Sequence, residues 1–157
     1  MSFRVGIGVD AHAFADGVSL VLGGVQFESP RGLAGHSDGD VITHALIDAV
    51  LGAAGLGDIG SLFPSDGSTP AGISSLDLLR DTLSRIAGAG YEVVNADCVL
   101  IGEQPRISAR RVELERTLAD IVGAPVTVRA TTTDKLGFTG RGEGLAAQAV
   151  ALLRRGD

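Results

Sequence analysis

Residues 3–12 read Phe-Arg-Val-Gly-Ile-Gly-Val-Asp-Ala-His, and this stretch decides how the chain is built. Apolar side chains occupy every second position at its start, at Phe3, Val5, Ile7 and Val9. A period of two predicts a β-strand with one buried face. Asp10 and His12 follow two residues apart and therefore project from the same face of that strand. The stretch predicts the first strand of a sheet, ending in two potential metal ligands.

The segments that follow predict a hairpin and a helix. Short apolar runs flank Gly23-Gly24 and predict a small N-terminal hairpin. Residues 30–37 predict a loop. Ser37 or Asp38 is then expected to cap a helix that carries His44 and continues to about residue 54.

The second half of the chain continues the alternation of helices and strands. Residues 57–72 are rich in Gly, Ser, Pro and Asp and predict an exposed loop. Ser74 and Asp77 have the spacing of a capping box at the start of the next helix. A strand, a helix and a strand are then expected over residues 91–101, 108–122 and 126–131.

The last segment, residues 144–153, is ambiguous from its residues alone. Its Ala and Leu content favours a helix, whereas its nearly continuous apolar character fits a buried strand. With either reading, alternating strands and helices predict an α/β fold, an α+β sandwich with helices over a sheet. The length of 157 residues predicts one domain over residues 1–157.

Composition narrows the class of protein. The net charge of −6 argues against a nucleic-acid partner, because that function needs a basic surface. Neither a signal peptide nor a membrane-spanning run is expected, and Cys98 is the only cysteine, which fits a cytoplasmic protein without disulfides. An acidic chain that binds a phosphorylated ligand would need metal ions, a few arginines or backbone N–H groups for local positive charge.

The three histidines of the chain, His12, His36 and His44, all lie in its first third. If the first helix packs near the end of the first strand, Asp10, His12 and His44 can converge. One carboxylate and two imidazoles leave a fourth position open, the pattern of a catalytic zinc site. The alternative is that each is an ordinary polar residue, since spacing cannot demonstrate convergence.

Two polar loops could bind phosphate. Residues 35–40 read Gly-His-Ser-Asp-Gly-Asp before a helix, which suits either an anion or simple capping. Residues 130–144 hold three consecutive threonines, Asp134 and Arg141 among glycines, which suits phosphate and Mg²⁺ or a solvated loop. Gln104-Pro105-Arg106 could contact a nucleobase or phosphate, or form only a strand-to-helix turn.

Taken together and in this order, these stretches resemble the 2-C-methyl-D-erythritol 2,4-cyclodiphosphate synthase family. The resemblance covers about residues 3–153. It is carried by Gly-Val-Asp-Ala-His at 8–12, Gly-His-Ser-Asp-Gly-Asp-Val at 35–41, Gly-Asp-Ile-Gly at 57–60, Phe63-Pro64, Pro105-Arg106 and the run over 130–144. The chain departs from many relatives in having Asp134 in place of Glu and Arg106 in place of Lys.

The resemblance implies an activity and its site residues. The substrate would be 4-diphosphocytidyl-2-C-methyl-D-erythritol 2-phosphate, which cyclises and releases CMP. Zinc would bind Asp10, His12 and His44, and Mg²⁺ or Mn²⁺ would bind Asp134. His36 and Thr132 would stabilise the transition state. The implied substrate-binding residues are His36, Ser37, Asp58, Ile59, Gly60, Phe63, Asp66, Gly102, Pro105, Arg106, Ile107, Ala130, Thr131, Thr132, Phe138 and Arg141.

The resemblance also implies an assembly. The family fold is a four-stranded mixed sheet with helices on one face, and residues 144–153 form one of its strands. Three such chains form a homotrimer with the sheets around the threefold axis and active sites between subunits. Phe138 and Arg141 would lie near a central cavity suited to an isoprenoid diphosphate. A metal-dependent phosphohydrolase and a non-catalytic nucleotide- or metal-binding trimer remain alternatives.

Overall fold

The computed structural model describes residues 1–156 and builds them around one main sheet and one hairpin. The strands are β1 (Ser2–Asp16), β2 (Leu20–Leu22), β3 (Val25–Phe27), β4 (Arg31–Leu33), β5 (Tyr91–Ile101), β6 (Val126–Thr131) and β7 (Gly144–Arg155). The main sheet has the order β4-β1-β7-β5-β6, and β2 and β3 form the predicted hairpin. All pairings are antiparallel except β5 with β6, so the sheet is mixed as expected.

The helices pack on one face of this sheet. They are α1 (Val41–Ala54), α2 (Ile59–Leu62), α3 (Ser75–Gly88), α4 (Arg111–Val122) and α5 (Gly137–Gly140), with a 3₁₀ turn at Ser108–Arg110. Helix α1 lies against β1, β7 and β5, while α3 and α4 contact β5 and β6, respectively. None of the helices in the described part is both long and apolar enough to cross a bilayer.

The first strand turns its apolar row away from the helices. Phe3, Val5, Ile7 and Val9 remain between 57% and 69% exposed in the single chain, so within one chain the apolar row is not the face that the helices bury. The opposite face carries Gly6 and Gly8, against which α1 packs. A Cβ atom on Gly8 would lie 1.9 Å from the carbonyl oxygen of Ala45. The absence of side chains at these glycines therefore lets the helix approach the strand backbone.

Helix α1 begins later than the sequence suggested. Its N-cap is Asp40 and not Ser37 or Asp38. The fully buried carboxylate of Asp40 accepts hydrogen bonds from the backbone N–H and hydroxyl of Thr43, at 3.1 and 2.6 Å. It also accepts the N–H groups of Gly23 and Gly24, at 2.9 and 2.7 Å. Asp40 therefore joins the hairpin turn to the start of α1, and its four donors explain why a buried carboxylate is tolerated.

Three other local expectations need correction. Residues 31–33 form β4 within the predicted loop 30–37, which adds a short fifth strand to the four long ones. Helix α2 occupies part of the predicted loop 57–72. Ser74 is the N-cap of α3, as expected, but its side chain makes no capping hydrogen bond, so the Ser74–Asp77 capping box does not form.

The ambiguous C-terminal segment is the central strand β7. It pairs with β1 over Gly144–Arg155 on one side and with β5 on the other. Ala147, Ala149 and Ala151 are buried beneath the helices. Pairing on both edges outweighs the helical propensity of these alanines, as tertiary context commonly does. The strand that the family resemblance implied is confirmed.

We expect Gly8→Ala to destabilise the fold, because the new methyl group would overlap the α1 backbone. Overpacking of this kind should lower the free energy of unfolding by about 2 kcal/mol or more. Denaturant unfolding followed by circular dichroism would measure the change. Gly67→Ala is the matched control, because nothing lies within 4 Å of the added atom. Equal stability of the two variants would contradict the close packing of β1 on α1.

Candidate metal centre and adjoining cavities

The side chains of Asp10, His12 and His44 converge just beyond the part of β1 that helix α1 covers. Asp10 Oδ2 lies 2.7 Å from His12 Nε2 and 3.1 Å from His44 Nδ1. The two imidazole nitrogens are 3.2 Å apart. Their potential ligand atoms all lie within 4.8 Å of one another, a grouping that could hold one metal ion. The predicted convergence of Asp10, His12 and His44 is therefore present.

The fold produces this convergence through the packing of α1. Asp10 and His12 continue the face of β1 that carries Gly6 and Gly8. Because α1 lies on those glycines, its first turn reaches the end of the strand and presents His44 to Asp10. The His12 ring is also fixed on the side that faces away from Asp10. The second nitrogen of His12, Nδ1, lies 2.7 Å from the carbonyl oxygen of Ala34, to which it donates when Nε2 is left free.

The three groups strongly affect each other's protonation. Burial raises the pKa of Asp10, but hydrogen bonds from His12 and His44 and the charges of both rings outweigh burial and bring that pKa down to about 2. The hydrogen bond to Asp10 raises the pKa of His12, an effect that burial partly opposes. A metal ion would replace these protons, because it requires an ionised carboxylate and neutral imidazole nitrogens.

A cavity of about 190 Å³ adjoins the three ligands. His36 and Ser37 form part of its wall, and His36 Nε2 lies 2.6 Å from the carbonyl oxygen of Thr69, which orients the ring. The rest of the wall comes from the segment between α1 and α3 and from α3 itself: Ile59, Gly60, Phe63, Ser65 and Thr69 lie in that segment, and Leu78 lies on α3. The cavity thus joins five residues of the predicted substrate set to the metal ligands, namely His36, Ser37, Ile59, Gly60 and Phe63.

Two predicted acids of this loop do not line the cavity. Asp58 is the exposed N-cap of α2 and forms a capping box with Ser61. Asp66 is also exposed and accepts the backbone N–H of Ser68 at 2.8 Å, while its neighbour Ser65 reaches the cavity instead. Within the single chain, the carboxylates of Asp58 and Asp66 are used to shape the loop.

A second cavity, of about 280 Å³, lies between the end of β5 and the end of β6. Its lining contains seven of the implied substrate-binding residues: Gly102, Pro105, Arg106, Ile107, Ala130, Thr131 and Thr132. It shares no residue with the cavity at the metal centre. The implied substrate-binding residues of one chain therefore line two cavities that are not joined.

The remaining predicted residues follow β6. Asp134 is exposed and adopts a left-handed backbone with φ of 52°, and its N–H donates to the hydroxyl of Thr132 at 3.3 Å. Phe138 is exposed on α5, and Arg141 forms an exposed ion pair with Glu143 at 2.9 Å. None of these residues lines the cavity beside Asp10, His12 and His44.

Sequence reasoning missed several residues that shape the centre. Thr69 orients His36, and Asp48 accepts the N–H of Ile59 at 2.7 Å, which anchors the start of α2. Asp38 and Ser75 form a hydrogen-bonded pair behind His44. Asp48 lies four residues after His44 on α1, a spacing that could have marked it, but no local pattern links Asp38 to Ser75.

The fold and this site define a mixed α/β protein with a carboxylate and two imidazoles suited to a divalent metal ion. A sequence profile of the YgbB family matches residues 3–154. The chain therefore belongs to the YgbB family, and the resemblance seen in its motifs is confirmed.

Known relatives match nearly the whole chain. It is 55% identical over 159 residues to the 2-C-methyl-D-erythritol 2,4-cyclodiphosphate synthase of Rubrobacter xylanophilus, covering 98% of this chain and 96% of that protein. The bifunctional IspDF of Campylobacter jejuni superimposes with a TM-score of 0.94 at 37% identity, covering 99% of this chain and 43% of that one. IspF of Plasmodium falciparum in complex with CDP gives 0.85 at 30% identity, covering 99% and 98%.

We expect the Asp10–His12 pair to stabilise the metal-free protein mainly between pH 3.8 and 6.5, the ordinary pKa values of the two groups. The lowered pKa of Asp10 contributes stability that is complete above 3.8 and is lost as the pH falls toward 2. The raised pKa of His12 contributes stability that is complete below 6.5 and is lost as the pH rises through its folded value.

Thermal unfolding of chelator-treated wild type and Asp10→Asn, from well below this pH window to well above it, would measure the effect. The advantage of the wild type should be greatest inside the window and shrink on both sides. Asp16→Asn, at an exposed position on the same strand, is the control and should show no such window. An advantage of Asp10 that does not change with pH would contradict the coupling.

Proposed function

We propose that this chain converts 4-diphosphocytidyl-2-C-methyl-D-erythritol 2-phosphate into 2-C-methyl-D-erythritol 2,4-cyclodiphosphate and CMP. An oxygen of the substrate's 2-phosphate forms a bond to the β-phosphorus, and the bond from that phosphorus to the CMP oxygen breaks. The observation that carries the proposal is the convergence of Asp10, His12 and His44 beside a cavity in a chain 55% identical to a named synthase. The reaction belongs to the non-mevalonate route to isoprenoids.

The residues fit the chemistry that this reaction needs. The nucleophile belongs to the substrate, so catalysis rests on positioning two phosphate groups and offsetting their repulsion. Asp10, His12 and His44 would hold Zn²⁺, for which two nitrogens and one oxygen are a known catalytic ligand set. When bound, the ion would supply positive charge to a phosphate oxygen. The charge of the bound ion would allow a chain with a net charge of −6 to bind a polyanion.

The chain's own side chains would orient the substrate in the first cavity. His36 is held by Thr69 with its ring at the wall, and the hydroxyl of Ser37 lies beside it. The Ser37 hydroxyl can donate to phosphate oxygens whose charge increases in the transition state. Since Nε2 of His36 donates to the carbonyl oxygen of Thr69, His36 can donate to phosphate through Nδ1 when both ring nitrogens are protonated. The backbone of Ile59 and Gly60 would contact the erythritol portion. The exposed carboxylate of Asp58, which caps the same helix, would accept hydrogen bonds from the erythritol hydroxyls.

The second cavity would take the cytidine portion. Backbone groups at Gly102 and Ala130 can contact a pyrimidine, and Arg106 and Thr132 can contact phosphate. The Plasmodium falciparum relative in complex with CDP supports a cytidine nucleotide as the ligand. Asp134, two residues after Thr132, would bind Mg²⁺ or Mn²⁺ together with the substrate diphosphate, because carboxylate and phosphate oxygens suit these ions.

A homotrimer would join the two cavities. In one chain they share no wall, so a complete site needs the second cavity of one subunit beside the metal centre of the next. The exposed apolar row of β1 supports burial of this sheet face in an assembly. Phe138 and Arg141 would then lie near a central cavity for an isoprenoid diphosphate. A cytoplasmic location completes the proposal.

Product analysis tests the proposed reaction. Purified protein loaded with Zn²⁺ and Mg²⁺ should release one CMP for each cyclic diphosphate formed, as detected by phosphorus NMR and chromatography. His44→Ala should lose bound zinc, and turnover should fall at least ~100-fold, because one of the three proposed zinc ligands has been removed. Inorganic phosphate as the product would identify a phosphohydrolase. No product from fully loaded protein would leave only a binding function.

Asp134 should act on the second metal and not on zinc. Asp134→Ala should lower turnover about 100-fold at low Mg²⁺ while zinc content remains unchanged, because this exposed carboxylate lies outside the zinc ligand group. Asp134→Glu, which restores the residue of many relatives, is the matched control and should retain substantial activity. Light scattering should give the same trimer mass for all three proteins. Near-native turnover of Asp134→Ala would refute the assignment.

A further inference from the structure

The metal-facing and rear nitrogens of His44 have different environments. Nδ1 faces Asp10 and His12 and is the atom that can bind a metal. Nε2 points away from them and lies 2.8 Å from the hydroxyl of Ser75 and 3.0 Å from that of Ser37. A neutral imidazole that ligates through Nδ1 carries its proton on Nε2. His44 therefore has to donate a hydrogen bond to one of the two serines.

The surroundings of Ser75 make it the better acceptor. Its side chain is fully buried, and its hydroxyl is in short contact with Oδ1 of Asp38. Since an ionised carboxylate can only accept, the Ser75 hydroxyl donates to Asp38, and its lone pairs face His44. Ser37 is only partly buried and lies on the wall of the metal-site cavity, where its hydroxyl is available to a ligand.

Asp38 is itself fixed at both oxygens. Oδ2 accepts the backbone N–H of Ser75 at 2.9 Å, and Oδ1 also accepts the N–H of Asp40 at 3.1 Å. The loop before α1 is thereby tied to the first residue of α3. The side chain of Ser74, the N-cap of α3, makes no capping hydrogen bond, so Asp38 provides the side-chain acceptor there.

We propose that Ser75 and Asp38 are positioning residues for the metal centre, which fix His44 with its proton on Nε2 and its Nδ1 lone pair toward the ion. This inference rests on the proposed metal site. The hydrogen bonds run in one direction, from His44 Nε2–H to the Ser75 hydroxyl and from that hydroxyl to Asp38. His12 is oriented similarly by the carbonyl oxygen of Ala34, but only the arrangement behind His44 is built from side chains and can be removed by substitution.

The first test compares the zinc affinity of Ser75→Ala with that of the wild type. Competition with a chelator should show binding about 10- to 100-fold weaker than in the wild type, the usual cost of losing a partner behind a ligating histidine. Ser74→Ala is the matched control and should bind zinc like the wild type, since the Ser74 side chain makes no capping hydrogen bond. Ser37→Ala should weaken zinc binding less than Ser75→Ala does.

Asp38→Asn provides a second variant should Ser75→Ala fail to fold. In either orientation, the new amide directs a donor at the Ser75 hydroxyl or at the Ser75 N–H, both of which donate to Asp38 in the wild type. In the first orientation, the amide donates to the Ser75 hydroxyl oxygen, so the hydroxyl donates to Nε2 of His44 instead of accepting from it. The ring proton of neutral His44 then lies on Nδ1, where it blocks metal binding. We therefore expect zinc binding at least about tenfold weaker.

Nitrogen-15 NMR of the metal-free proteins separates positioning from a general structural effect. In the metal-free wild type, Asp10 beside Nδ1 and Ser75 beside Nε2 compete for the single ring proton of neutral His44. The fraction of neutral His44 that carries this proton on Nε2 should therefore be smaller in Asp38→Asn than in the wild type. Unchanged zinc affinity and tautomer in Ser75→Ala and Asp38→Asn would overturn the inference, as would an equal loss in Ser37→Ala. A wild type that binds no zinc would instead refute the metal site, while the tautomer would still report on Ser75 and Asp38.

Discussion

The backbone of β1 lies directly against helix α1 because Gly6 and Gly8 present it with no side chains. An added Cβ would lie about 2 Å from α1 carbonyl oxygens at both positions, 2.0 Å at Gly6 and 1.9 Å at Gly8. The next two residues on the same face of the strand are Asp10 and His12, just beyond the region that the helix covers. The first turn of α1 then places His44 beside them. The three side chains that could hold a metal ion meet because the helix can lie this close, so the packing of α1 and the geometry of the candidate site depend on the same contact.

The acids of the Gly-His-Ser-Asp-Gly-Asp loop show how neighbouring carboxylates acquire different roles. Asp40 is fully buried, holds four donors from the hairpin turn and from the start of α1, and has no oxygen left for a ligand. Asp38, two residues earlier, faces α3 and binds both polar groups of Ser75. Neither lies among the metal ligands. The loop therefore acts as a scaffold that joins the hairpin, α1 and α3, and His36 and Ser37 project from it into the cavity.

The sequence predicted correctly those features that depend on local hydrophobic patterns or on recognisable motifs. Strands β5 and β6, the hairpin and the three candidate metal ligands all lie where the patterns placed them. For β1, periodicity separated the two faces of the strand but could not say that the helix covers the glycine face and leaves the apolar row exposed in the single chain. In the C-terminal segment, alanine-rich composition could not reveal pairing on both edges. The role of Ser75 could not be predicted, because 37 residues separate it from Asp38 and only the packing of α3 brings the two together.

The position of β7 in the sheet has a consequence during synthesis of the chain. This strand is formed by residues 144–155, yet it separates β1 from β5 and pairs with both along most of their length. While the ribosome is making the first 143 residues, β1 has no partner along residues 2–13, and its apolar row and open edges are available to other chains. Contacts across such a sequence separation also form slowly. The nascent chain therefore carries Asp10 and His12 on a strand without its β7 partner until residues 144–155 have been translated.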